Sequence, residues 1–417
     1  MLMLRKIILL IIFAFIFLIP SKIYAVENPL AVPNNIYGIH ILDENDLKDA
    51  ARLVNSSGGD WGYVTVVIRS DERDHKRWQN AFDEMRRLHL IPIVRIATKQ
   101  TPQGWEKPNF DEIDGWIGFL NSLNWVIKNR YVVIGNEPNH AKEWGGEVKP
   151  EEYANYLKTI SQRLKTTSSD FFIMPAGFDA SAPNSKISMS EDNYLENMLS
   201  LQPDAFNNVD GWASHSYPNP NFSGSQDAIG KGSVKTYIWE LNYLKNLGVT
   251  KNLPVFITET GWKHDAGNAN NQNSILAAQK FKSALEIAWK DEQIVAVTPF
   301  ILNYKEPPFD VFSWKKPDGS FYEIYDEVSL LPKIKGAPNQ ISAVDILSIV
   351  FPPVIPGNGK LSGVVLIRNT GQQIWEGRET IYAENRGREV TLQPIVPTTD
   401  IEPEHNSMAV VKIKIKE

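Results

Sequence analysis

The stretches YVVIGNEPN, residues 131–139, and VFITETGW, residues 255–262, share the pattern that decides the fold. In each, a run of β-branched and aromatic residues passes directly into polar residues that include a glutamate, Glu137 in the first and Glu259 in the second. A short apolar run of this kind is typical of a strand that is buried on both faces in a parallel sheet. The sequence therefore places the two glutamates at the carboxyl ends of two buried strands.

The same kind of run recurs along the chain and alternates with amphipathic helical stretches. We count eight such runs, at residues 37–41, 63–68, 91–97, 131–135, 171–176, 209–215, 255–258 and 295–302. No glycine-rich phosphate loop follows any of them, so an open dinucleotide-binding sheet lacks its signature. The pattern predicts an α/β protein whose residues 34–330 form a (β/α)8 TIM barrel, with the run of Glu137 as the fourth strand and that of Glu259 as the seventh.

The last part of the chain, residues 340–417, has strand-like stretches separated by Pro, Gly, Asn and Asp clusters, which predicts a small all-β sandwich. Within it, RNTGQQIW, residues 368–375, resembles the Asn-x-Gly…Trp element of Ig-like domains that accompany bacterial surface enzymes. The resemblance implies a spacer or a contact to glycan or cell wall, with Trp375 as a core residue.

The first 25 residues predict an export signal, because Arg5 and Lys6 precede an apolar run at residues 7–20 and a polar stretch ends at Ala25. Ile23 is unfavourable before a cleavage site, so an uncleaved membrane anchor formed by residues 4–20 is the alternative. We expect a secreted or cell-surface protein, with membrane or cell-wall association through this segment.

The composition limits the kinds of reaction and ligand that this chain can support. The chain of 417 residues contains no cysteine, which excludes disulfides and catalytic thiols, and its formal net charge of −6 does not favour nucleic-acid binding. The seven histidines are scattered without metal-ligand spacing. We therefore expect no metal, no cofactor and no nucleic acid, and a mechanism that uses carboxylate, His, Tyr or Ser side chains.

Two carboxyl groups at strand ends suit glycoside hydrolysis, in which one protonates the leaving oxygen and the other attacks or activates water. At this point the chain resembles the clan A glycoside hydrolases, whose fourth barrel strand ends in Asn-Glu-Pro and whose seventh ends in a glutamate. Asn136-Glu137-Pro138 matches the first signature and Glu259 the second. The resemblance implies Glu137 as acid/base, Glu259 as nucleophile and Asn136 as a ligand of the sugar 2-hydroxyl.

The resemblance also implies roles for residues on other strands. In WASHSYP, residues 212–218, His215 would line the sugar subsite and Tyr217 would bind the nucleophile. The clan's strand-end arginine, which lowers the pKa of the nucleophile, corresponds equally to Arg69 or to Arg95.

Aromatic residues in the strand-end loops can stack on the apolar face of a sugar. Trp314 matches the place where the clan has a tryptophan beneath the sugar at the reaction centre. Trp262, Trp144 and Trp105 serve either stacking or packing, and His40, at the end of the first strand, is expected to face the pocket.

These features together predict a retaining glycoside hydrolase that cleaves β-glycosidic bonds in oligo- or polysaccharides by double displacement. Two alternatives stay open. One is a non-catalytic glycan-binding surface protein that kept the barrel for recognition, and the other is a transglycosylase of wall glycans that uses the same two glutamates.

Overall fold

The structure is a computed structural model and describes residues 26–264, 272–351, 360–376, 390–392 and 400–415. The predicted export signal or anchor, residues 1–25, lies outside the described residues. Among the described helices, none has the length and apolar character needed to cross a membrane.

Eight parallel strands alternate with eight helices along residues 38–330. The strands are β1 (Gly38–Ile41), β2 (Gly62–Arg69), β3 (Leu90–Ala97), β4 (Arg130–Ile134), β5 (Phe171–Pro175), β6 (Trp212–His215), β7 (Val255–Glu259) and β8 (Ile294–Val297). The helices are α1 (Leu47–Val54), α2 (His75–Arg87), α3 (Ile113–Ser122), α4 (Pro150–Thr167), α5 (Glu191–Leu201), α6 (Thr236–Asn246), α7 (Gln272–Ser283) and α8 (Glu323–Leu330).

The strands form two parallel sheets, one in the order β1-β2-β3-β4-β5 and one in the order β8-β7-β6. An isolated parallel bridge joins Tyr37, just before β1, to Val297 in β8. A second joins Asp179, shortly after β5, to His215 in β6. The chain is therefore an α/β protein built on parallel strands, as the alternating pattern predicts.

The start of helix α4 and the end of strand β8 each have a physical cause in the sequence. Helix α4 starts with Pro150 at its first turn, where the missing N–H costs no hydrogen bond, and Glu151 and Glu152 follow at the positive end of the helix dipole. The predicted eighth run extends to residue 302, but β8 ends at Val297. Pro299 cannot donate a ladder hydrogen bond, so the segment leaves the sheet there.

Aromatic side chains from four of the parallel strands pack against one another. The ring of Phe256 in β7 lies 5.0 Å from that of Tyr131 in β4, 5.5 Å from Phe172 in β5 and 6.5 Å from Tyr63 in β2. Such layers turn the centre of the strands into a packed core. Polar groups can then face solvent only at the strand ends.

Residues 344–415 contribute an antiparallel sheet of four strands, β9 (Val344–Val350), β10 (Lys360–Asn369), β11 (Val390–Leu392) and β12 (Asn406–Ile415), in the order β9-β10-β12-β11. Trp375 is 2% exposed in the small core of this sheet, which fits the core role predicted for it. Asn369 explains the Asn-x-Gly element, because its side chain accepts from the Gly371 N–H at 3.0 Å and donates to the Ile401 carbonyl at 3.0 Å.

The antiparallel sheet contacts the helical layer directly. Arg87 of α2 donates two hydrogen bonds to Glu402, at 2.7 and 2.6 Å, and the Gln372 side chain donates to the Ile127 carbonyl at 2.9 Å. These contacts lie away from the carboxyl ends of the parallel strands.

Candidate active site

Glu137 lies on a tight turn that follows β4. Gly135 has φ +88°, which glycine adopts without cost, and Glu137 itself has φ +32°, a left-handed conformation that costs an L-residue about 1–2 kcal/mol. The turn is held by hydrogen bonds from the Glu137 N–H to the Gly177 carbonyl (3.0 Å) and from the His140 N–H to the Glu137 carbonyl (2.9 Å). A strained residue held this firmly is typical of a functional position.

Glu259 is the last residue of β7, and its side chain is 10% exposed. The Arg95 guanidinium donates to one of its carboxylate oxygens, and the Tyr217 hydroxyl donates to the other at 3.1 Å. Burial raises the pKa of Glu259, but the nearby positive charges of His215 and Arg95 outweigh burial and hold that pKa below its ordinary value. Glu259 is therefore ionised at neutral pH.

His215 connects the two glutamates. Its Nδ1 lies 3.0 Å from a carboxylate oxygen of Glu137 and 3.9 Å from one of Glu259. One oxygen of each carboxyl group and a His215 nitrogen lie within 4.8 Å of one another. Burial lowers the pKa of His215, but the charges of Glu259 and Glu137 raise it above its ordinary value overall.

Arg95 and Asn136 extend this network. Arg95 Nη1 donates to the Asn136 side-chain oxygen at 2.7 Å as well as to Glu259, and Asn136 Nδ2 donates to Glu143 at 3.2 Å. Glu143 is a residue that the sequence analysis missed, since nothing in a loop sequence marks it as buried. Burial, followed by the charge of Glu137, raises the pKa of Glu143 to about 7.

Glu137, Glu259, Arg95, Asn136 and Glu143 line a cleft of about 610 Å³ at the carboxyl ends of the parallel strands. His215, predicted to line the sugar subsite, does not line this cleft, because its side chain is only 1% exposed. One wall, formed after β6 and β8, is aromatic: it includes Tyr217, which the sequence predicted, and Phe222, Phe300, Phe309 and Phe312, which the sequence did not predict. The opposite wall is polar and includes Arg69, Glu72, His140, Lys142 and Asp179. An apolar wall and a hydrogen-bonding wall suit a ligand with both CH faces and hydroxyl groups, as sugars have.

Trp314, predicted to stack on a sugar, lies in the core instead, which corrects that prediction, and Trp262, expected either to stack or to pack, also lies in the core. Trp314 is 2% exposed with its ring edge-on to Phe281 at 5.3 Å. Trp262 is 3% exposed and donates its indole N–H to the Gly224 carbonyl at 2.9 Å. Neither lines the cleft, because burying these large rings between helix and loop removes more apolar surface from water than a cleft wall would. Phe300, just after β8, lines it instead.

Trp144 and Trp105 were each expected either to stack or to pack. Trp144 is 3% exposed, packs edge-on to Tyr153 at 5.6 Å and donates to Glu152 at 3.2 Å, which makes it a packing residue. Trp105 lines the cleft. The structure thus assigns Trp144 to packing and Trp105 to the cleft, a choice that the sequence left open.

The choice between the two candidate arginines is decided by geometry. Arg95 contacts Glu259, whereas Arg69 pairs with Glu72 at 2.8 Å and Asp71 at 3.2 Å on the cleft wall.

His40, expected in the pocket, is fully buried beneath it, with its ring 5.3 Å from that of Phe300. Burial lowers the pKa of His40 to about 3, so this residue is a neutral neighbour of the site and not part of the cleft wall.

Glu137, His215 and Glu259 are grouped closely enough to hold a cation. In the structure, however, these groups bond to one another and to Arg95 and Tyr217. A guanidinium already occupies the place beside Glu259 that a cation would take, so the arrangement suits proton transfer and nucleophilic attack better than metal binding.

Comparison with known proteins gives a family match across this site. Residues 114–292, which include Glu137 and Glu259, match the cellulase family, glycosyl hydrolase family 5. No curated protein matches the chain significantly.

The chain is also similar to solved structures of glycoside hydrolases, and the first of those described below supports a shared fold. A β-xylosidase from Caulobacter crescentus is 10% identical, with a TM-score of 0.50 over 92% of this chain and 97% of that chain. A family 39 glycoside hydrolase from Bacteroides cellulosilyticus is 14% identical, with a TM-score of 0.49 over 93% and 82% of the two chains. An endo-β-1,3-glucanase of family 128 from Sorangium cellulosum is 13% identical, with a TM-score of 0.44 over 71% and 96%.

Proposed function

We propose that the chain is a glycoside hydrolase of clan A, which its match to glycosyl hydrolase family 5 over residues 114–292 supports, and that it is a retaining enzyme that cleaves β-glycosidic bonds in oligo- or polysaccharides. The observation that carries the proposal is the pairing of Glu137 and Glu259 across His215, with one oxygen of each carboxyl group within 4.8 Å of the other. Retaining enzymes hold their two carboxyl groups about 5–5.5 Å apart, and inverting enzymes about 6.5–9.5 Å apart. The short separation favours retention.

The surroundings assign a role to each carboxyl group. Glu259 is held ionised by Arg95 and oriented by the Tyr217 hydroxyl, which suits a nucleophile. Among the described residues, no arginine or lysine forms an ion pair with Glu137, and its bonded partner His215 can itself carry or release a proton. Glu137 is thus the group that exchanges protons with the substrate.

The reaction then runs in two steps. A Glu259 oxygen attacks the anomeric carbon while the glycosidic oxygen takes the Glu137 proton and departs, which leaves a glycosyl ester on Glu259. Glu137, now ionised, removes a proton from water, the water oxygen attacks the same carbon, and the ester bond breaks to restore Glu259. Asn136, fixed by Arg95 and Glu143, is placed to bind the sugar beside the reacting carbon.

We also infer that the two parallel sheets form one closed (β/α)8 barrel. The bridges Tyr37–Val297 and Asp179–His215 lie at the two places where the sheets meet. Closure places the carboxyl ends of β4 and β7 at the same end of the barrel, and the reaction requires this because both glutamates must reach one sugar. The proposal further includes residues 34–330 as the catalytic domain, residues 340–417 as an Ig-like sandwich, and export through residues 1–25.

The test is hydrolysis of a panel of β-linked polysaccharides and 4-nitrophenyl β-glycosides by the wild type and by Glu259→Ala and Glu137→Ala. Each variant is expected to lose at least about a thousandfold in kcat/KM on the polysaccharide. Added azide should yield the α-glycosyl azide with Glu259→Ala and the β-glycosyl azide with Glu137→Ala, because azide replaces the nucleophile in one and the water in the other. The matched control is Glu147→Gln, an exposed glutamate of the same loop that pairs with Lys107 and should change nothing.

Early products are followed by NMR of the anomeric proton. Retained configuration supports the proposal, and inverted configuration contradicts the assignment of Glu259. Binding of a polysaccharide without turnover would favour the glycan-binding alternative. Products longer than the substrate would favour the transglycosylase.

A further inference from the structure

The polar wall of the cleft contains a histidine–aspartate pair that the proposed reaction does not use. His140 Nε2 lies 2.8 Å from a carboxylate oxygen of Asp179, and the two side chains are 22% and 30% exposed. Both line the cleft. The pair therefore presents a donor and an acceptor to whatever occupies this side.

The pair lies beside Glu137, because its loops are hydrogen-bonded to the Glu137 backbone. The His140 N–H donates to the Glu137 carbonyl at 2.9 Å, and the Glu137 N–H donates to the carbonyl of Gly177, two residues before Asp179. The direct partners of Glu259 are Arg95 and Tyr217 instead. In a double displacement the acid faces the departing oxygen, so the wall beside Glu137 faces the leaving group.

The pair is also held in place by its own loops. Asn139 clamps the Asp179 backbone, since its amide nitrogen donates to the Asp179 carbonyl at 2.9 Å and its amide oxygen accepts from the Asp179 N–H at 3.2 Å. A second carboxylate oxygen of Asp179 accepts from the Ser181 N–H at 2.8 Å. Groups fixed in this way need little ordering when a ligand binds.

The charges of the pair support one another. The hydrogen bond to Asp179 is the main cause that raises the pKa of His140, assisted by the charge of Glu137 and opposed by burial and by Lys142. Burial raises the pKa of Asp179, but the bond to His140 and the Ser181 N–H outweigh burial and lower it. Charged donors and acceptors bind hydroxyl groups more strongly than neutral ones do.

We propose that His140 and Asp179 form the subsite that binds the sugar on the leaving-group side through its hydroxyl groups. The inference rests on the proposed function and adds a substrate class to it. The substrate continues as a sugar beyond the cleaved bond and does not end in an apolar group at this point.

The test compares two substrates for each of glucose, xylose and mannose: the 4-nitrophenyl β-glycoside, which has no sugar on the leaving side, and the β-1,4-linked trisaccharide. For the sugar that the wild type cleaves, His140→Ala and Asp179→Asn should lower kcat/KM on the trisaccharide about tenfold or more, the effect of losing a charged hydrogen bond. On the 4-nitrophenyl glycoside both variants should keep most of their activity.

A second measurement separates binding from structural damage. A free β-1,4-linked disaccharide is added during hydrolysis of the 4-nitrophenyl glycoside. To react with the glycosyl-enzyme in place of water, this disaccharide must bind in the leaving-group subsite. The fraction transferred to the disaccharide instead of water should fall in both variants. The matched control is His89→Ala, which removes a histidine that also bonds an aspartate, Asp60, at 2.8 Å but does not line the cleft.

Equal losses on both substrates, or an unchanged trisaccharide rate with unchanged transfer, would overturn the subsite. Activity of the wild type on the 4-nitrophenyl glycoside shows in the same experiment that the proposed function stands. If the wild type cleaves neither kind of substrate, the proposed function fails and the subsite fails with it.

Discussion

Replacing Arg95 by methionine tests the electrostatic design of the site most directly. Methionine keeps a long unbranched side chain but removes the charge that contacts Glu259 and the donor that fixes Asn136 at 2.7 Å. Arg95 and Glu259 are only 9% and 10% exposed, so water does not replace the lost partner.

The expected loss follows from this burial. Breaking a buried ion pair by removing one partner costs about 3–5 kcal/mol. No acceptor among the described residues reaches Arg95 Nε, so removing the guanidinium also removes one unsatisfied donor. We therefore expect the lower end, about 3 kcal/mol of unfolding free energy at neutral pH.

The loss should depend on pH with a definite sign. The folded-state pKa of Glu259 lies below its ordinary value of 4.5, so the stability that its charge contributes is present above that value and is lost as the pH falls through the folded pKa. The gap between wild type and Arg95→Met is thus widest at neutral pH and narrows in acid. The acid limb of kcat/KM should move to higher pH, because Glu259 in the variant is protonated more readily.

Urea unfolding from acid to neutral pH measures the difference in unfolding free energy between wild type and Arg95→Met. Initial rates across the same pH range measure the acid limb of kcat/KM. Arg163→Met is the matched control, since its partner Asp114 is exposed and such surface pairs contribute about 0–1 kcal/mol. A loss below about 1 kcal/mol for Arg95→Met, or a loss that does not vary with pH, would refute the reasoning.

Two further predictions concern other carboxyl groups. Glu143→Gln keeps an acceptor for Asn136 but cannot ionise, so the change of kcat/KM near pH 7, where the pKa of Glu143 lies, should flatten; an unaltered pH profile would show that Glu143 does not act through Asn136. Glu191 and Glu240 are fully buried against each other, and burial raises both pKa values, so the stability that these two groups contribute falls as the pH rises above 4.5. The double variant Glu191→Gln with Glu240→Gln should have a free energy of unfolding in urea at least about 1 kcal/mol higher than the wild type at pH 8, and this difference should vanish near pH 5. If the unfolding free energies of the variant and the wild type changed equally with pH, the shared burial of the two acids would be contradicted.

The order of strands and helices could be predicted from the sequence because it depends on local periodicity. Every predicted strand run overlaps an observed parallel strand, and the positions of Glu137 and Glu259 at the ends of β4 and β7 follow from where each apolar run stops. These features need no knowledge of distant contacts.

Tertiary structure alone decided which side chains meet. Arg95 and Arg69 are equally placed in the sequence, yet only Arg95 points across the strands to Glu259, 164 positions away. Trp314 and Trp262 carry the aromatic surface expected of a sugar platform but are buried in the core, while Phe300 takes the cleft. Glu143, His140 and Asp179 gain their roles from burial and from partners in other loops. Periodicity is a property of neighbours along the chain, whereas pKa values, ion pairs and cleft walls depend on distances between residues that only folding brings together.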